Sequence, residues 1–157
     1  KTSTNKKHEV ELTYIASRGN WYHYSWKGED EKSGGIATNI GIHLFDLLIW
    51  LFGDVQKSEV YLSDNKKMSG SLELKDANVT WFLSIDENDL PAEIRSHKKM
   101  MYRSINVDGN EIEFSDGFTE LHTKVYREIL KGNGLGISDA RPSIEAVYNI
   151  RFSKVIK

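Results

Sequence analysis

From Lys32 to Gly53 a glycine-flexed loop, Lys32-Ser33-Gly34-Gly35, leads into a run that is apolar on almost every side: Ile40, Ile42, Leu44, Phe45, Leu47, Leu48, Ile49, Leu51 and Phe52. A helix of that make-up must be covered over most of its surface. Thr38 or Asn39 stands where a short polar side chain caps a helix start, and Gly53 stands where the helix stops. Asn39, His43, Asp46 and Trp50 recur four, three and four residues apart and so share one face. Buried polar groups left unpaired cost about 1–3 kcal/mol each, so such a stripe needs partners. An amide one turn before His43 and a carboxylate one turn after it can fix the tautomer of the imidazole. Two readings stand side by side: a hydrogen-bonded histidine of the core, and a functional site.

The remaining composition excludes several classes. At 157 residues the chain is one ordinary domain, and 21 Lys plus Arg against 23 Asp plus Glu give a formal charge of −2. That balance gives no reason to expect nucleic acid or an anionic membrane as partner. With no cysteine there is neither a disulfide framework nor a thiolate ligand or nucleophile. No histidine spacing suits zinc, and no metal site is expected. The longest apolar run, 40–52, is interrupted by His43 and Asp46, so no membrane span and no secretory signal are expected, and the location expected is cytoplasmic. Residues 1–8 are a polar lead-in or linker, and 9–157 form the domain, which reads as a piece of something larger.

Residues 9–17 alternate as a strand with Val10, Leu12, Tyr14 and Ala16 on one side. Residues 18–32 form a loop crowded with Arg18, Trp21, Tyr22, His23, Tyr24, Trp26 and Lys27. Aromatics there can stack on a sugar or simply cap the sheet core, and Arg18 and Lys27 can grip an anion. After Gly53 the pattern is β-rich, with strands at 55–63, 69–74, 78–85, 100–107 and 111–115 and an Asp108-Gly109 hairpin turn. A helix over 120–131, capped by Thr119, turns Leu121, Val125, Ile129 and Leu130 inward, with His122 and Tyr126 on its flank. A glycine-containing loop over 133–138 precedes a last helix whose first turn holds Pro142 and whose covered stripe is Ile144, Val147 and Ile150, with Val155 in line beyond them. Strands followed by helices predict an α+β fold: an open, mostly antiparallel sheet with helices packed on one face.

The string Ser33-Gly34-Gly35…Asn39-Ile40-Gly41-Ile42-His43-Leu44-Phe45-Asp46…Trp50-Leu51-Phe52-Gly53 closely resembles the family of glucose–fructose oxidoreductase and inositol dehydrogenase (Gfo/Idh/MocA). That family writes the helix as Asp-x-Gly-x-His-x-x-Asp. Ser25-Trp26-Lys27-Gly28, Leu121-His122-Thr123 and Ala140-Arg141-Pro142-Ser143-Ile144-Glu145 resemble its UDP-N-acetylglucosaminuronate 3-dehydrogenase branch. The resemblance covers nearly the whole chain and implies the family's C-terminal domain, with the Rossmann domain that binds NAD or NADP lying outside it. The family's usual Asp is Asn39 here; an amide can orient a ring but brings no charge.

The resemblance further implies oxidation of a secondary hydroxyl of a sugar, a nucleotide-linked N-acetyl sugar uronate of surface-polysaccharide synthesis. His43 is then the acid/base or the group orienting that hydroxyl, and Asn39 positions His43 or the sugar. Arg18 and Lys27 contact the uronate carboxylate or the diphosphate, and His122 touches substrate or the domain interface. The chain alone is expected to bind no nicotinamide and to be inactive. Two other readings remain: a carbohydrate-binding module built on the aromatic loop, and an assembly domain forming a homo-oligomer through its sheet, with Ile15, Tyr61 and Trp81 as apolar surface.

Overall fold

The computed structural model of the protein describes residues 6–19, 21–113 and 120–156. The strands are β1 (His8–Ala16), β2 (Val55–Ser63), β3 (Lys67–Leu74), β4 (Ala77–Ser84), β5 (Met101–Val107) and β6 (Asn110–Glu113). They form one open sheet in the order β2-β3-β4-β1-β5-β6. Alternation sets its faces: Val10, Leu12, Tyr14 and Ala16 of β1 are buried while Glu9 and Glu11 are exposed. Asp108-Gly109 makes the expected β5–β6 turn, with both residues at positive φ. The expected α+β architecture is present.

β1 and β4 lie parallel, from His8 against Ala77 to Ile15 against Ser84, while every other strand pair is antiparallel. A parallel neighbour requires a long crossover, and residues 17–76 provide it. Hairpin signals read along the chain pair each strand with the next, so they do not reveal this contact.

Helix α3 (Ile42–Phe52) holds the sheet through Leu44, Phe45 and Leu48, with the Phe45 ring edge-on to Trp81 at 5.4 Å between centroids. α6 (Ile137–Phe152) packs beside α3 and against β2 through Ala146, Val147 and Ile150. Trp81 is therefore core, not the uncovered surface expected of it, and it is seated over Gly70, where a Cβ would come within 2.6 Å of its ring. Ile15 is also buried, beside the short turn Glu87–Asp89; of the three residues proposed for sheet pairing only Tyr61 is exposed.

Neither Thr38 nor Asn39 caps the helix start. Helical backbone begins at Ile36, passes through a wide i→i+5 turn at Ala37–Gly41 and continues into α3. Thr38 Oγ1 donates to Gly34 O at 2.8 Å and Asn39 Nδ2 to Gly35 O at 3.0 Å, so both hydroxyl and amide answer carbonyls one turn back. Gly53 does end the helix, at φ 83°, with its N–H on Ile49 O. By length and hydropathy alone, Asp30–Phe52 would pass for a membrane span, with mean hydropathy 1.6, but half of that window is buried inside the domain.

The second and third helices depart from expectation. α5 (Leu121–Leu130) buries none of Leu121, Val125, Ile129 and Leu130; its apolar stripe is exposed, and of the four only Leu121 lines a cleft. Periodicity identifies a stripe, not what covers it. The expected cap Thr119 lies outside the described residues. α6 starts four residues before Arg141 because Asp139 accepts the Gly136 N–H at 2.7 Å, which leaves Pro142 inside the helix and Ile144 exposed.

A polar knot fastens one end of the sheet. Asp89 accepts Ser84 Oγ at 2.6 Å and Lys67 Nζ at 2.7 Å; beside it the Asn88 N–H and the Lys66 ammonium hold the Asp86 carboxyl below its ordinary range. A carboxyl with a lowered folded pKa stabilises the fold above its unfolded pKa and loses that effect as pH falls through the folded value. Asp86→Asn is therefore expected to lower Tm at neutral pH by an amount that shrinks toward zero in acid, measured by thermal melts from about pH 7 to about pH 3. A gap that stays constant with pH overturns the assignment.

Candidate functional site

The polar stripe of α3 is open rather than enclosed. His43, Asp46 and Trp50 are exposed, Trp50 to 80%, and Asn39 is half-buried. Asn39 sends an amide N–H back to the Gly35 carbonyl at 3.0 Å. The stripe has no hydrocarbon over it because the sheet takes only the Leu44–Phe45–Leu48 side of the helix.

In front of that stripe lies a cleft of about 670 Å³. α3 contributes His43, Asp46, Leu47 and Trp50 to it, α5 contributes Leu121 and His122, and Leu135 comes from the following loop. Tyr14 of β1 and Arg103 of β5 close its sheet side. These two are register partners, and the Arg103 guanidinium lies 5.5 Å from the centre of the Tyr14 ring. The lining is mainly apolar with a few polar groups, the usual make-up of a small-molecule site. Two imidazoles, one carboxylate and one guanidinium can between them orient a hydroxyl, take or return a proton, and fix an anion.

Of the residues singled out in the sequence, His43 and His122 meet in this cleft. Arg18 and Lys27 do not line it. Arg18 lies 6.0 Å over the ring of Tyr22, and Lys27 lies 5.8 Å over that of Trp26. Tyr22 is buried in the short helix α1 (Trp21–Tyr24); burial pushes its hydroxyl above the ordinary range, against the pull of the Arg18 charge and the Asn39 amide. Arg18, Tyr22 and Asn39 are thus linked at the entry of the helix. Trp21, Tyr24 and Trp26 are exposed around them.

Arg103 and Tyr14 carried no functional reading from the sequence. The signal for Arg103 was there: Met101, Arg103, Ile105 and Val107 share the core-facing side of β5, and a single charge in that apolar row requires a place to point.

Gly134 and Gly136 follow a helix rather than a strand, so the phosphate-binding geometry of a strand–glycine–helix turn is not formed there. Nor do three His, Asp or Glu side chains among the described residues gather closely enough to hold a metal.

Residues 6–87 match the oxidoreductase family's C-terminal alpha/beta domain, the Gfo/Idh/MocA C-terminal unit. The fold is similar to the WlbA (WbpB) dehydrogenase from Thermus thermophilus in complex with NAD and UDP-GlcNAcA, at 48% identity and a TM-score of 0.92. That match covers 96% of this chain and 48% of the other. A second structure of the Thermus thermophilus enzyme, with NAD and alpha-ketoglutarate, matches at 49% identity and TM-score 0.92, over 96% of this chain and 49% of that one. The WlbA dehydrogenase from Bordetella pertussis in complex with NADH and UDP-GlcNAcA shares the fold at 17% identity and TM-score 0.65, over 93% of this chain and 53% of that one. The chain spans about half the length of each.

Proposed function

Because the chain belongs to the Gfo/Idh/MocA oxidoreductase family and forms its C-terminal α/β domain, we propose that it is the substrate half of an NAD(P)-dependent dehydrogenase of a nucleotide-linked sugar acid, with UDP-GlcNAcA as the substrate. The observation that carries this reading is the exposed ring of His43 on the wall of a cleft large enough for a sugar. The nicotinamide, bound by a Rossmann domain beyond this chain, supplies the hydride acceptor. This chain's residues do the rest. His43 takes the proton from the sugar hydroxyl undergoing oxidation, and the Trp50 and Leu47 side chains narrow the cleft around the ring. His122 lines the same cleft from α5 and holds a second hydroxyl. Asn39, tied to Gly35, firms the helix entry rather than aiming the imidazole, and Arg18 with Lys27 lies outside the cleft.

The reading includes pairing of two copies through the uncovered sheet face. That face is polar, with Glu9, Glu11, Lys57, Glu59 and Glu73 around a hollow of about 370 Å³, so its contacts would be hydrogen bonds and ion pairs. A carbohydrate-binding module remains the second reading, on the strength of exposed Trp21, Tyr24 and Trp26. Calorimetry on the chain alone, and NADH formation by the full-length enzyme with UDP-GlcNAcA, separate the two. The dehydrogenase half is expected to bind no NAD alone and to support NADH formation in the full enzyme. No NADH formation by the full enzyme overturns it, and nucleotide-sugar binding by the chain in the absence of turnover favours the module.

A further inference from the structure

We infer that Trp26 is the stacking platform for the uracil base of the nucleotide-linked substrate, with the Lys27 ammonium beside it for the phosphates. The inference rests on the nucleotide-sugar reading above and assigns the end of the ligand that the His43 cleft does not hold. Trp26 opens a short turn, Trp26–Gly28, that is braced from within. Ser25 Oγ donates to the Tyr22 carbonyl at 2.9 Å and accepts the Lys27 N–H at 3.3 Å. Gly28 lets the turn fold back on Tyr22 and His23: a Cβ there would stand 2.6 Å from the Tyr22 carbonyl oxygen and 2.8 Å from the His23 Cα. Tyr22 is buried, so the turn is fixed to the domain while the indole stays 56% exposed. A large ring held out of the core on a braced backbone can take a planar ligand with little further ordering.

Charge and position favour a nucleotide base over a neutral sugar. Lys27 Nζ lies 5.8 Å from the centre of the indole, and an aromatic ring with a cation beside it is the usual make-up of a site for a base and its phosphate. The neighbouring acid Glu29 is engaged by Lys32 at 2.6 Å. The Tyr22 hydroxyl meets the Asn39 amide, and Asn39 stands one turn before His43. The braced turn therefore sits by the helix entry, outside the cleft that holds the sugar. A sugar at His43 with its diphosphate running toward the helix entry brings the base to this loop, whereas a sugar stacked on Trp26 would lie away from His43.

The test measures binding of three probes to the full-length enzyme: UDP-GlcNAcA, UDP, which lacks the sugar acid, and GlcNAcA 1-phosphate, which lacks the uridine. Trp26→Ala is expected to weaken UDP-GlcNAcA and UDP alike, by roughly 5–100-fold, the range of one lost base–aromatic stack, with GlcNAcA 1-phosphate bound as by wild type. Trp26→Phe keeps a smaller π face and is expected to fall between wild type and Trp26→Ala on the two uridine probes. It also covers the case in which Trp26→Ala fails to fold. If GlcNAcA 1-phosphate weakens along with the other two, the indole carries the sugar, and the inference is overturned in favour of the carbohydrate-binding reading. Wild-type affinity for every probe in a folded variant overturns the inference alone. A wild-type enzyme that binds neither UDP-GlcNAcA nor UDP overturns the nucleotide-sugar reading and this inference with it.

Discussion

Replacing His43 with asparagine is expected to lower kcat of the full-length enzyme by roughly 10²–10⁴-fold, the range that a positioned acid or base contributes. KM for the sugar nucleotide should move little, because asparagine keeps a polar group of similar reach at the cleft wall. The fold should not notice. His43 is exposed on a helix whose attachment lies on its other side, and surface changes of that kind usually stay within about 0.5 kcal/mol. A loss of activity with an unchanged melt therefore separates chemistry from folding. The outcome that removes His43 from the reaction is wild-type kcat in a soluble variant, and a loss of the bell or limb in the pH–rate profile would strengthen its role.

The largest effect on stability is expected at Phe45. Its side chain is fully buried between α3 and the sheet, edge-on to Trp81, beside Leu44 and Leu48. Phe45→Ala removes that ring from a close-packed site and is expected to cost about 3–5 kcal/mol, read from urea denaturation of the chain. Because α3 carries His43 two residues before the anchor, the same substitution should loosen the cleft, and activity should fall more steeply with temperature than in wild type. A loss below about 1 kcal/mol would mean that the helix is held by something other than this contact.

Much of this arrangement was legible in the residues, and the exceptions have physical causes. Alternation located the strands well because each side chain in a strand points opposite to its neighbour, and the Asp108-Gly109 turn was read from its demand for positive φ. The buried side of α3 was legible for the same reason of periodicity. What the residues did not disclose is who stands opposite whom. The β1–β4 parallel pair joins segments separated by the whole crossover, and no local pattern encodes it. The inward stripe expected of α5 was real as a stripe but not as core, because periodicity does not say what, if anything, covers it. His43 was found because an imidazole interrupted an apolar run. Arg103 was passed over because its apolar row was read only for strand character, and its pairing with Tyr14 exists only once the sheet has formed. Arg18 and Lys27 belong to the loop that precedes the helix, yet that place in sequence does not bring them into the cleft.

The wide turn at Ala37–Gly41 works as a length of slack in the coil. An ordinary helix advances about 100° per residue, and one extra residue wound that way would rotate everything beyond it by about that angle. The wide turn winds each residue less and takes up the surplus. Ile36, Ala37, Ile40, Leu44, Phe45 and Leu48 are all buried, one covered side that runs through the turn and on down the helix. Tightening the turn to ordinary winding without shortening the chain would swing the imidazole about a quarter of a revolution. The ring is thus aimed by the pitch of the backbone.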